Sequence, residues 1–216
     1  MTIPKVIYMC HKELIHITRY SQNWKRLNPD YEIKLFDDKL CEDFLARNFS
    51  RLHLEIFRFI PDGPIKADFW RCCILYKFGG VYADADIEPL VPISEYIEPK
   101  ISFLTCIAYD FNILYKNYRF NPHFIMAEKY DQNISNCITS YVNIYKNDKQ
   151  NYSYWKWSIC CFLMIPDVNE KKSQTIIKNG KKYQFLFQKT PDECEYNGVT
   201  VLYNSYKTYK DHNFIE

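Results

Sequence analysis

Lys66-Ala-Asp-Phe-Trp-Arg-Cys-Cys-Ile-Leu-Tyr-Lys-Phe-Gly-Gly-Val-Tyr-Ala-Asp-Ala-Asp-Ile-Glu-Pro-Leu90 spells a helix, its stop and a strand in succession. Helical periodicity runs from Pro64 to Phe78, and Gly79–Gly80 can take the left-handed backbone that ends a helix. Val81–Ala83 then reads as a short buried strand that delivers Asp84 and Asp86. With a side-chain period of two, a strand continuing through them would put both carboxylates on one face. Two hard oxygen donors at the open end of a sheet suit Mg²⁺ or Mn²⁺ gripping a diphosphate. On the preceding helix Asp68 and Arg71 are three apart and share a face. They make a polar handle in an otherwise apolar helix, with Asp68 accepting hydroxyls and Arg71 meeting phosphate or fixing Asp68. The competing reading is an ion pair on a solvated face.

Outward from this stretch, strands and helices alternate. Lys5–Met9 and Tyr31–Phe36 read as strands. Lys12–Leu27 reads as a helix stopped by Asn28–Pro29, and a second helix runs from Asp37–Asp38 through Phe49. Further on, Ile101–Ala108, Ile159–Ile165 and Val199–Tyr203 are expected as strands, and Pro122–Tyr145 as largely helical. The alternation predicts an α/β fold, a single mixed sheet flanked by helices, with ligands in the crevice at the strands' C-terminal ends. The 216 residues fit one domain.

Composition removes whole classes of function. A hydrophobic fraction of 47% excludes disorder, and a net charge of +2 is too balanced for a nucleic-acid binder. The longest apolar run, Ile159–Ile165, is far short of the ~20 residues of a membrane span. No signal-peptide pattern opens the chain. The 9 cysteines are scattered or adjacent, without C-x-x-C, so they read as reduced, buried thiols of a cytoplasmic protein. A calcium loop starting at Asp84 fails because Pro89 would stand where its turn needs Gly. An aspartyl phosphatase lacks a convincing later Lys and acid pair.

The pattern of Asp68, Arg71, Gly79, Gly80, Val81, Tyr82, Asp84 and Asp86 resembles the D-x-D sugar transferases of capsular-polysaccharide and yeast mannosyl type. It is also similar to the core of the clostridial glucosylating toxins. Ile3-Pro4-Lys5-Val6-Ile7 resembles the family's opening strand, and Trp24 with Asn28-Pro29-Asp30-Tyr31 its W…NPdy element. The resemblance covers roughly residues 1–90 through several ordered motifs, and it implies a nucleotide-sugar and metal half at 1–90 and an acceptor half at 91–216. It implies a GT-A fold, a nucleotide-diphosphate sugar donor (UDP by family frequency) and Mn²⁺ or Mg²⁺. Asp86 would be the direct metal ligand and Asp84 would lie near ribose, sugar or metal. Asp68 and Arg71 would hold the donor sugar, and Val6, Ile7 and Tyr8 would pass beside the base. Tyr8 and His11 stand where the family has His and Trp, so base stacking is rebuilt. Size and composition also resemble glycosyltransferase modules of chlorella-type viruses, which decorate capsid glycans in the host cytoplasm.

The second half offers candidates without a motif. The resemblance makes His212 or Asp211 a late metal ligand, with Lys207 and Lys210 for phosphate; a solvated terminal histidine is the competing reading. Trp155 and Trp157, with Tyr152 and Tyr154, make either a sugar-stacking platform or rim and core packing. Asp110, Asp192, Glu193 and Glu195 are candidate bases for an inverting reaction, and the catalytic residue is left unassigned. The resulting expectation is a metal-dependent glycosyltransferase acting on an oligosaccharide or glycoprotein acceptor. The alternatives are a non-catalytic carbohydrate- or nucleotide-binding module of the same fold and, further off, the D-x-D phosphatase.

Overall fold

The computed structural model describes residues 3–109, 120–162, 168 and 172–204. Ten strands among them share one mixed sheet. They are β1 (Val6–Cys10), β2 (Glu32–Phe36), β3 (Gly80–Ala83), β4 (Ile87–Pro89), β5 (Phe103–Ile107), β6 (Phe120–Ala127), β7 (Gln174–Lys178), β8 (Lys181–Gln188), β9 (Glu193–Tyr196) and β10 (Val199–Asn204). Their order is β2-β1-β3-β6-β5-β8-β9-β10-β4, with β7 pairing β8 off this path. β1 lies parallel to β2 and β3, and β3 antiparallel to β6, so the sheet is mixed from its centre outward.

The pleat sorts the core into two layers. Ile7, Met9, Val81 and Ala83 face one cluster while Tyr8 and Tyr82 face the other. The first cluster is covered by α1 (Leu14–Leu27) and α5 (Ile93–Tyr96). Trp24 anchors it, fully buried, donating Nε1–H to the Ile87 carbonyl at 2.9 Å and stacking on Phe124. The second cluster is covered by α2 (Asp38–Asn48), α3 (Arg51–Phe59), α4 (Gly63–Phe78) and α6 (Gln132–Asp148). In α4 nearly every position from Ile65 to Leu75 is buried, because the helix is wrapped by other elements.

Gly79 and Gly80 end α4 at φ of +66° and +111°. A Cβ at Gly80 would stand 2.9 Å from the Val6 carbonyl oxygen, so the close pairing of β3 with β1 needs glycine there.

Three expectations change. Pro122–Tyr145 is not one helix: β6 takes its first part, to Ala127, and α6 starts at Gln132, where the Asp131 side chain accepts from the N–H groups of Asn133 and Ile134. Pro122 is tolerated within β6 beside an irregularity in its register with β5. Ile159–Phe162 is a 3₁₀ turn rather than a strand, and 163–165 lie outside the described residues. The strand after Gly80 stops at Ala83, so the paired aspartates sit in the turn to β4, closed by the Ile87 N–H on the Asp84 carbonyl at 3.1 Å.

Candidate active site

β1 and β3 run parallel and end side by side, placing Cys10, His11 and Asp84 on the rim of a cleft of about 500 Å³. Asp68, Arg71, Tyr82, Asp86 and His123 also line it. The turn, rather than a pleated strand, therefore brings both carboxylates to one cavity.

Arg71 organises this end of the sheet. It is 2% exposed, and its Nη2 lies 2.9 Å from both Asp68 Oδ1 and Asp84 Oδ1. Nη1 donates to the Pro122 carbonyl, and the guanidinium lies 4.3 Å from the centre of the Tyr82 ring. Tyr82 in turn donates its hydroxyl to Asp84 Oδ1 at 2.8 Å. The pair Asp68–Arg71 is thus buried, not on a solvated face. Burial opposes the Arg71 charge, but Asp84, Tyr82 and Asp68 more than offset it and hold the guanidinium protonated. The Asp68 carboxyl is pushed well up by burial, against the pull of Arg71.

Asp86 differs from its partner. Its carboxyl is raised from 3.8 to about 6, first by burial and then by the negative charge of Asp84. Asp84 keeps 28% of its side chain exposed. Two carboxylates close enough to repel one another in a half-dry cavity have the donor chemistry that a hard divalent cation prefers.

The other expected site residues divide. His11 lines the cleft, with Nδ1 3.0 Å from the Glu13 backbone. Val6, Ile7 and Tyr8 do not line it: Ile7 and Tyr8 are buried in the two core layers, and β1 gives the cleft only its last residue, Cys10, followed by His11 and Lys12. Trp155 is 40% exposed and lines the cleft with Tyr154, while Trp157 is fully buried against Phe59, Tyr141 and Tyr152. Asp192, Glu193 and Glu195 lie away from the cleft, where Glu193 pairs with Lys189 at 3.4 Å and Glu195 accepts from the Gly198 N–H. His212, Asp211, Asp110, Lys207 and Lys210 lie outside the described residues.

Sequence reasoning missed Asp38, Asp62, His123 and Asn204, which also line the cleft. The misread helix hid His123. Asp62 is marked only by its place before Gly63–Pro64, and it accepts the Tyr152 hydroxyl at 2.7 Å.

With this geometry in place, residues 16–104 match the family described as the glycosyltransferase sugar-binding region containing the DXD motif. The matched segment, 89 of the 216 residues, is similar to that sugar-binding region. It contains Asp68, Arg71, Asp84 and Asp86, the linked charged groups at the D-x-D end of the cleft. Over 81 residues the chain is 37% identical to the initiation-specific alpha-1,6-mannosyltransferase of Candida albicans, covering 37% of this chain and 21% of that one. Over 91 residues it is 34% identical to inositol phosphoceramide mannosyltransferase 2 of Schizosaccharomyces pombe, covering 39% and 25%. The chain therefore spans about a quarter or less of the length of these relatives. Among solved structures, PaToxG glycosyltransferase superposes with a TM-score of 0.57 at 15% identity, over 74% of this chain and 67% of that one. That likeness gives the fold: the D-x-D region sits in a GT-A-like mixed sheet. No helix among the described residues is long and apolar enough to cross a membrane.

Proposed function

We propose that this chain is a metal-dependent glycosyltransferase that moves a sugar from a nucleoside-diphosphate donor to a glycan acceptor. The observation that carries this reading is the convergence of Asp84 and Asp86 on the cleft while Arg71 is committed to Asp68, Asp84 and Pro122. Arg71 is then a positioning residue that fixes Asp84 in the same cleft as Asp86. Asp86 and Asp84 would hold Mn²⁺ or Mg²⁺, whose hard-oxygen preference their donor set fits. Bound there, the cation supplies Lewis-acid neutralisation of the leaving diphosphate.

The remaining roles follow from position. Asp68, on the cleft wall, accepts hydroxyls of the donor sugar. His11 and Lys12, at the end of β1, face the nucleotide, with Lys12 placed to meet phosphate. Tyr154 and Trp155 form an aromatic wall suited to stacking on a sugar face. The mannosyltransferases among the relatives make mannose the first sugar to test.

A thermal-shift panel of UDP- and GDP-linked sugars, with and without Mn²⁺, tests the reading. A ligand that binds only the folded protein raises its melting temperature. One donor class should raise Tm in a Mn²⁺-dependent way, and that donor should then release its nucleoside diphosphate in the presence of oligosaccharide acceptors, capsid glycans included. If no nucleotide sugar shifts Tm with Mn²⁺, the reading is wrong.

A further inference from the structure

Two clusters of soft metal ligands lie in the core apart from the paired aspartates. Cys72, Cys137 and Cys160 meet from α4, α6 and the 3₁₀ turn, and Cys106, His123 and Cys194 meet from β5, β6 and β9. Within each, the ligand atoms lie within 4.8 Å of one another, and all six residues are buried.

Charge and distance separate the two clusters. Zinc takes cysteine as thiolate and histidine as neutral imidazole. Three thiolates around Zn²⁺ leave a net negative charge in the interior, whereas two thiolates and an imidazole cancel it, and buried net charge is expensive. Tetrahedral zinc, with Zn–S about 2.3 Å and Zn–N about 2.0–2.1 Å, sets sulfur and nitrogen ligands about 3.5 Å apart and two sulfurs about 3.8 Å apart. Cys194 Sγ lies 3.3 Å from His123 Nε2, close to that spacing. Cys72 Sγ and Cys160 Sγ, at 3.2 Å, are too close for it. The second ring nitrogen of His123, Nδ1, is buried without a hydrogen-bond partner, so among the described residues the cluster is what holds the ring.

We propose that Cys106, His123 and Cys194 form a zinc site, with water from the cleft as the fourth ligand. His123 lines the cleft, which gives the ion and the water their route. Binding displaces the two thiol protons to solvent. The site ties three strands together beneath the D-x-D turn, because the His123 carbonyl accepts the Asp84 N–H at 2.8 Å. This inference is independent of glycosyl transfer.

The test is the metal content of the full chain, produced with zinc and purified without chelator, followed by Co²⁺ substitution. About one zinc per chain is expected, and the Co²⁺ form should show a thiolate-to-cobalt charge-transfer band, which carboxylate-bound metal cannot produce. Cys194→Ser should lose both, while Cys137→Ser, in the other cluster, keeps both. Should Cys194→Ser fail to fold, a chelator-induced fall in the Tm of the Cys137→Ser/Asp86→Asn double variant, in which the other two candidate metal sites are disabled, reads the same site. Zinc-free protein without a cobalt band overturns the proposal. So does a band that survives in Cys194→Ser and disappears in Cys137→Ser, or a native mass short by the two hydrogens of a Cys106–Cys194 disulfide.

Discussion

Arg71 shows how much a single side chain can be asked to hold. It answers two carboxylates and a carbonyl from three parts of the chain, and stacks on Tyr82 while doing so. Replacing it with methionine keeps most of the volume but leaves the buried Asp68 without its counter-charge. Breaking a buried pair in this way costs about 3–5 kcal/mol, and urea denaturation of Arg71→Met should show a loss of that size. A change below about 1 kcal/mol would mean the ion pairs are incidental. Asp86 behaves in the opposite sense. Its folded pKa, about 6, stands above the ordinary 3.8, so the fold favours the protonated carboxyl. Stability from this group is present below pH 3.8 and is lost as pH rises through about 6. Metal-free Asp86→Asn, which cannot ionise there, should therefore be more stable than the parent at pH 8, by at most about 3 kcal/mol, and no more stable at pH 3. Thermal melts in chelator at the two pH values measure the difference.

At the scale of elements, α7 (Tyr154–Trp157) puts two tryptophans on opposite duties within one turn. Trp157 is sealed among aromatic rings, and Trp157→Ala should cost about 3–5 kcal/mol by leaving a cavity. Trp155, on the cleft, should tolerate Ala with stability changed by less than about 0.5 kcal/mol but with a raised KM for transfer. Equal effects on both readouts at both positions would remove the sugar-stacking role. The two residues share a composition and a sequence neighbourhood, so only tertiary packing tells them apart. The same limit explains which elements were legible. α4 and β3 were readable because a periodic apolar run, two glycines and a hydrophobic strand agree locally. β6 was not, because Pro122 and Asn121 mimic a helix start ahead of the genuine one at Asp131. The D-x-D turn was placed in the right spot for the wrong local reason: alternation after Ala83 imitates a strand, while the backbone folds back at Asp84–Ile87.

Across the whole molecule, one sheet carries two core layers and opens a cleft where β1 and β3 end together. Residues from 10 to 204 reach that cleft, so the first half supplies the charges and the later elements supply the wall. The motif-bearing half was legible because its chemistry is local in sequence. Of the wall, Tyr154 and Trp155 were legible as aromatic candidates, but His123 and Asn204 were not, since they reach the cleft only through sheet order. The central claim is that Asp86 holds a divalent cation through which the donor diphosphate is bound. Titration calorimetry of the thermal-shift-selected nucleotide sugar into the parent and Asp86→Asn, with and without Mn²⁺, tests it most directly. The parent should bind tightly only with Mn²⁺, and Asp86→Asn should fold normally yet lose that dependence, with affinity falling at least about tenfold, or about 1.4 kcal/mol. Unchanged Mn²⁺-dependent affinity in folded Asp86→Asn would contradict the account.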